Sequence, residues 1–402
     1  MRSTTTTALV LTFGAVGAWY LFDRRRRRRR LQQQQQQQQR CAHTVSADVR
    51  LGFPGLVGNT PMVELRKLSR ATGCTILAKA EFLNPGGSTK DRVAKSIIDH
   101  AAESGALHPG GTVVEGTSGS TGISLAFMAK ARGYACEIVM PDDMAEEKSR
   151  VLRQVGATVR EVRPASIVNK QHYCNVAAAR AKELGGEPLA LFADQFETSA
   201  NFDAHYRHTG PEIWAQTDGA VDAFVMSAGT GGTIAGVSTY LKERKPAVRV
   251  FLADPPGSSL YHAVRHGVCY APEQAERRVR RHRYDTIAEG IGLDRQTANF
   301  RRARIDHAFR VDDRSAVEMA HYVLREEGLF LGSSSAVNLV AAVRAARAMG
   351  PGHTVVTVLC DSGQRHLTKF WNPEFLAKWN LTPSAKGLEF LDRKPVRGAK
   401  SS

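Results

Sequence analysis

Residues 75–104 read TILAKAEFLNPGGSTKDRVAKSIIDHAAES. The β-rich run from Thr75 to Ala80 predicts a strand, and Asp91 to Ser104 predicts a helix. Between them lies Asn84-Pro85-Gly86-Gly87-Ser88-Thr89-Lys90-Asp91-Arg92, whose paired glycines permit a tight backbone. Lys90 falls at the start of the helix. An ordinary solvated cation is badly placed there, because a helix N-terminus is positive. A lysine so placed has its pKa pushed down, which suits an amine that must be neutral to form an imine.

The same unit recurs outward along the chain. Thr112 to Glu115 predicts a strand and Gly122 to Arg132 a helix. Cys136 to Met140, Ala157 to Val162 and Ala223 to Ser227 predict further strands, the last followed by a helix from about Thr233. Val248 to Ala253 and Thr354 to Leu359 complete the set. Strands separated by helices predict an α/β fold with mostly parallel sheets covered on both faces. Ligands of such sheets bind at the carboxyl ends of strands.

Three more strand-to-helix loops carry chemistry. Gly116-Thr117-Ser118-Gly119-Ser120-Thr121-Gly122 brings hydroxyls and backbone N–H groups to a helix N-terminus, a ready anion site or else an ordinary capped turn. Ser227-Ala228-Gly229-Thr230-Gly231-Gly232-Thr233 can wrap a phosphate. It lacks the G-x-G-x-x-G spacing of a dinucleotide loop and the Gly-Lys-Ser/Thr of a Walker loop. Gly332-Ser333-Ser334-Ser335-Ala336 precedes an Ala/Val-rich helix, where serines alone would be read as caps.

The chain has 402 residues, 42% hydrophobic and 23% charged. That is enough for a large core and two lobes. Its net charge is +16, but half of this comes from residues 1–40, so no basic nucleic-acid groove is implied. The basic segment Ala271 to Arg283 reads as a solvated insertion. Cys41, Cys74, Cys136, Cys174, Cys269 and Cys360 have neither metal-ligand nor paired spacing, so neither a disulfide framework nor a metal site is expected.

In this order the loops resemble the cysteine synthase and cystathionine β-synthase family of fold-type II pyridoxal-phosphate enzymes. Gly58-Asn59-Thr60-Pro61-Met62-Val63, Pro85 to Arg92, Asp194-Gln195-Phe196 and His208-Thr209-Gly210-Pro211-Glu212-Ile213-Trp214 resemble its other motifs, and the likeness runs from about Leu51 to Phe375. The resemblance implies pyridoxal 5′-phosphate as cofactor and Lys90 as its Schiff-base lysine and the later acid/base. It gives Gly229, Thr230, Gly231, Gly232 and Thr233 to the cofactor phosphate and Ser334 to the pyridine nitrogen. Ser120 stands where the family has an Asn that contacts the cofactor's 3′ oxygen. Thr117, Ser118, Thr121 and Gln195 are given to the substrate carboxylate. Ala336 replaces a family Gly, and Leu293-Asp294-Arg295 stands where apolar residues are usual.

The implied reaction is β-replacement: O-acetyl-L-serine and sulfide give L-cysteine and acetate. The rivals are another β-replacement or dehydratase activity with a serine donor, and a membrane-tethered homologue of weak activity. A homodimer is implied, with no nucleic-acid partner. The catalytic domain is expected over 51–385, with a smaller lobe over 86–199 and a larger one over 51–85 plus 200–385. A basic tail follows over 386–402.

Residues 1–22 are read as a membrane anchor and 23–50 as a basic and polyGln linker. Ala8 to Phe22 is an apolar run. It is short for a full span, which needs about 20 residues. The charge of Arg24 to Arg30 follows the apolar run instead of preceding it, unlike a secretory signal, and is not dispersed as in a matrix presequence. A short anchor with its arginines on the cytosolic side fits best. The mitochondrial outer membrane is the expected site; the endoplasmic reticulum and a solvated tail are the alternatives.

Overall fold

The computed structural model describes residues 49–117, 119–144, 146–271 and 286–392. Among these residues ten strands run β1 Met62–Glu64, β2 Thr75–Ala80, β3 Thr112–Gly116, β4 Ala135–Pro141, β5 Thr158–Val162, β6 Ala190–Phe192, β7 Ala223–Ser227, β8 Arg249–Asp254, β9 His307–Arg310 and β10 Thr354–Leu359. They form two sheets. One has six strands in the order β1-β2-β10-β7-β8-β9; the other has four, in the order β5-β4-β3-β6. All pairings are parallel except β1 with β2.

The central strands are apolar on both faces, as parallel strands covered by helices must be. Ala223, Val225, Phe251 and Ala253 point into one core, and Phe224, Met226, Val250 and Leu252 into another on the opposite face. This period-two alternation lets one sheet hold two helical layers.

The helices that matter for the site are α1 Lys90–Ser104, α2 Ser120–Arg132, α3 Glu146–Val155, α4 Tyr173–Glu183, α5 Gly232–Arg244, α6 Asp313–Glu327 and α7 Ser333–Met349. α1, α2 and α5 begin one or two residues earlier than the sequence predicts. Lys90, Ser120 and Gly232 are therefore first-turn residues.

Every strand and helix expected from the pattern is present, and β1, β6 and β9 are additional. These three are edge strands of three or four residues. Such strands are too short to show an alternation. The described residues from Gly52 onward form one compact unit. Phe390 and Leu391, in the described part of the expected tail, pack into the core of the six-stranded sheet. No helix among the described residues is long and apolar enough to cross a membrane. The expected anchor over 1–22 and most of the insertion lie outside the described residues.

Candidate active site

The loops that follow β2, β3, β7 and β10 open at the carboxyl ends of their strands and line one cavity of about 200 Å³. Of the expected residues, Lys90, Thr117, Ser120, Thr121, Gln195, Gly229, Thr230, Gly231, Thr233 and Ser334 all line it. Gly232 lies just behind, as the first residue of α5. Ser118 lies outside the described residues.

The loop after β7 is built by close approach. Gly231 has φ 85°, a left-handed conformation, and a Cβ there would lie 2.7 Å from Phe300 Cα. A Cβ on Gly229 or Gly232 would overlap the Gly290 carbonyl oxygen or the Asn201 amide. The turn thus aims backbone N–H groups and the positive end of a 13-residue helix at the cavity. It is held by side chains that carry no motif of their own. Asn201 Nδ2 donates to Thr230 Oγ1 at 2.9 Å, and Thr297 Oγ1 donates to the Thr230 carbonyl at 2.6 Å. His205 Nε2 lies 3.1 Å from Thr233 Oγ1, while its Nδ1 lies 2.9 Å from Thr209 Oγ1. Burial first, then the positive charge of Arg92 and Lys90, holds His205 well below the ordinary histidine range, so the ring is neutral.

Lys90 is set by its neighbours. Ser88 bridges to Asp361, and the Thr89 N–H donates to the Cys360 carbonyl at 3.0 Å. The Asp91 carboxylate accepts from the Gly86 N–H at 2.6 Å and from Ser124 Oγ at 2.5 Å, which ties the Gly-rich turn to α2. Burial is the main force lowering the Lys90 pKa, opposed by the charges of Cys360, Asp361 and Glu81. Desolvation thus takes the place that the sequence assigns to the helix dipole.

The Thr121 hydroxyl donates to Gln195 Oε1, and Gln195 Nε2 donates to Glu115 Oε1 at 2.9 Å. Gly119, with φ 143°, packs on the Lys148 side chain, and Lys148 pairs with Glu289. Glu289 also meets Lys369 at 3.3 Å. Ser334 lies in the first turn of α7, its hydroxyl against the Cys360 thiol. Ala336 is fully buried in the same helix, so no glycine is required there. Arg295 pairs with Glu197 at 2.5 Å and lies over Phe196, which lines the cavity.

The lining suits a phosphorylated, amine-reactive ring compound. Ser227 Oγ and Thr89 Oγ1 are buried without a hydrogen-bond partner, and buried hydroxyls are rarely left so. A glycine-rich loop at a helix N-terminus, a desolvated lysine and the Ser334 hydroxyl in one cavity fit pyridoxal phosphate. Among the described residues no group of His, Cys, Asp and Glu could hold a metal ion.

Comparison with known proteins agrees. The family described as "Pyridoxal-phosphate dependent enzyme" matches residues 54–361. Cysteine synthase 2 of Schizosaccharomyces pombe is 51% identical over 362 residues, covering 87% of this chain and 91% of that protein. A Saccharomyces cerevisiae protein, provisionally named a mitochondrial cysteine synthase, is 51% identical over 328 residues, covering 80% of this chain and 84% of that one. The crystal structure of an O-acetylserine-dependent cystathionine β-synthase from Helicobacter pylori superposes with a TM-score of 0.70. It is 29% identical and covers 80% of this chain and 98% of that one.

Proposed function

The chain belongs to the pyridoxal-phosphate dependent enzyme family, and on that premise we propose that it is a cysteine synthase, converting O-acetyl-L-serine and sulfide to L-cysteine and acetate. The observation that carries this is the meeting at one cavity of Lys90, the glycine-rich loop from Gly229 to Thr233 and the hydroxyls of Thr117, Ser120 and Thr121. Relatives named cysteine synthase, 46% to 54% identical over most of this chain, support it.

Gly229 to Thr233 would hold the cofactor phosphate, Ser334 its ring nitrogen and Ser120 its 3′ oxygen, with Lys90 as the covalent attachment point. When bound, pyridoxal phosphate supplies the electron sink that acidifies the donor's α-carbon. Ser334 offers a hydroxyl and no carboxylate, so it would not stabilise a proton on the ring nitrogen as an anion does. This keeps the sink weak and favours loss of a β-substituent over transamination. Thr117, Ser118, Thr121 and Gln195 bind and orient the donor carboxylate. Lys90 Nζ, held below the usual ammonium range by burial, removes the α-proton. The β-carbon–oxygen bond breaks, acetate leaves, and sulfide forms the new carbon–sulfur bond. Lys90 then returns the proton to the α-carbon.

Sulfide-dependent turnover tests this. O-acetyl-L-serine, L-serine and L-threonine are each assayed with and without sulfide. Cysteine and acetate in equal amounts from the first donor alone are expected; cysteine from serine, or 2-oxo acids without sulfide, would assign a different activity.

The enzyme works in mitochondria, a placement supported by the name of the S. cerevisiae relative. The finer reading is that Ala8 to Phe22 tethers it to the outer membrane with the catalytic domain in the cytosol. The catalytic unit comprises a smaller lobe over 86–199 and a larger one over 51–85 plus 200–385, and acts as a homodimer.

A further inference from the structure

We propose that Glu115 is a positioning residue for the donor amino acid: its buried carboxyl holds the Gln195 side chain in the orientation that receives the donor's carboxylate. The inference rests on the cysteine synthase reading.

Glu115 is the penultimate residue of β3 and is 1% exposed. No lysine or arginine among the described residues pairs with it. A carboxyl buried without a cation costs stability, and an apolar residue would serve a central strand better. What it touches is the amide of Gln195. Oε1 of Glu115 accepts from Gln195 Nε2 at 2.9 Å, while Oε2 is buried without a hydrogen-bond partner.

The amide's other bonds define its direction. The Thr121 hydroxyl donates to Gln195 Oε1, which fixes the carbonyl end. The second N–H of Nε2 reaches only the Gly116 carbonyl, at 3.4 Å. That long contact is easily exchanged for an incoming carboxylate. The Gln195 main chain is already fixed, because its carbonyl accepts from Asn201 Nδ2 at 2.8 Å and from Asn299 Nδ2 at 3.3 Å. Asp194 before it has φ 44°, a left-handed conformation that a non-glycine residue adopts at a cost, and such strain gathers at binding sites. Fixing the backbone leaves rotation of the amide undetermined, and Glu115 supplies that determination.

The charge state suits the role. Burial pushes the carboxyl up to about 8, with the hydrogen bond from Gln195 opposing. At neutral pH the group is uncharged, so it would not repel a carboxylate received by Gln195.

The test uses the full-length holoenzyme with Glu115→Leu, Glu115→Gln, Gln195→Ala and the double variant Glu115→Leu/Gln195→Ala. The probe is L-cysteine, the product, whose dissociation constant is read by calorimetry without turnover. Glu115→Leu is expected to weaken L-cysteine binding about tenfold, the usual loss when a buried donor is left unpaired. It should raise the O-acetylserine KM far more than it lowers kcat, while the apoprotein melts no lower than wild type. Glu115→Gln, neutral and of the same shape, should restore binding. In the Gln195→Ala background, Glu115→Leu should add nothing. Wild-type affinity in Glu115→Leu, or an equal loss with and without Gln195, would overturn the proposal. A wild-type enzyme that binds neither L-cysteine nor O-acetylserine would instead sink the cysteine synthase reading.

Discussion

Replacing Gly231 by Ala should cost the enzyme its cofactor long before it costs the fold. Gly231 has φ 85°. Placing an L-residue in left-handed backbone costs about 1–2 kcal/mol. The new Cβ would lie 2.7 Å from Phe300 Cα, a backbone atom that cannot rotate away. Carbon atoms pack at about 3.5–4.0 Å, so one segment must move by roughly 1 Å, at about 1–3 kcal/mol. Phe300 resists the movement: its N–H donates to Thr297 Oγ1 at 3.0 Å, and Thr297 in turn donates to the Thr230 carbonyl at 2.6 Å. The apoprotein relieves the clash by displacing the loop. Phosphate binding demands the native loop, so about 3 kcal/mol reappears as lost affinity, roughly a hundredfold. The assay strips the cofactor, titrates pyridoxal phosphate back and follows visible absorbance, with an apoprotein melt as control. Wild-type affinity in the folded variant would refute the reasoning.

Further outcomes follow from the same contacts. Arg92 pairs with Glu81 at 2.7 Å and with Glu212 at 2.6 Å, and Lys79 meets Glu212 at 2.6 Å. Arg92→Met should therefore destabilise the fold by about 3–5 kcal/mol in chemical denaturation. Burial opposes ionisation of Glu212, but the hydrogen bonds and charge of Arg92 overcome it and hold the carboxyl at about 2. Its stabilisation is therefore complete above the ordinary carboxylate range and lost as pH falls from about 4.5 toward 2; Glu212→Gln should flatten that limb of the pH–stability curve. Glu115 has the opposite sign. With its folded pKa raised to about 8, stability is fully present below the unfolded value near 4.5 and drains away as pH rises through 8. The melting-temperature advantage of Glu115→Gln should accordingly grow from pH 5 to 8 and then level off. Residues 1–50 fused to a fluorescent protein should carry it to mitochondria, with the fluorescent domain open to added protease; protection from protease would contradict the outer-membrane reading.

The fold was readable because its central strands are continuous apolar runs, each ending in glycines or hydroxyls before a helix. β7 and β10 have the bounds that Ala223 to Ser227 and Thr354 to Leu359 predict. The edge strands β1, β6 and β9 are held by one neighbour each, and three or four residues show no period. That the glycine-rich loops meet at one cavity was readable for the same local reason. The contacts of Asn201, His205, Thr297 and Glu115 with the cavity residues were not, because they reach them from other elements across the fold. His205 carries a weak trace, lying next to the motif His208 to Trp214 in a π-helical turn, a form common at functional sites. Arg295, which departs from the family pattern, is engaged by Glu197 at the cavity's edge, so the departure remains consistent with an intact site.

That Lys90, and no other lysine, carries the cofactor is tested directly by borohydride reduction of the holoenzyme followed by peptide mass mapping. The reduced pyridoxyl group is expected on the peptide containing Lys90 alone, with no labelled peptide in Lys90→Ala. A label on any other lysine of the native enzyme, or none at all, would contradict it.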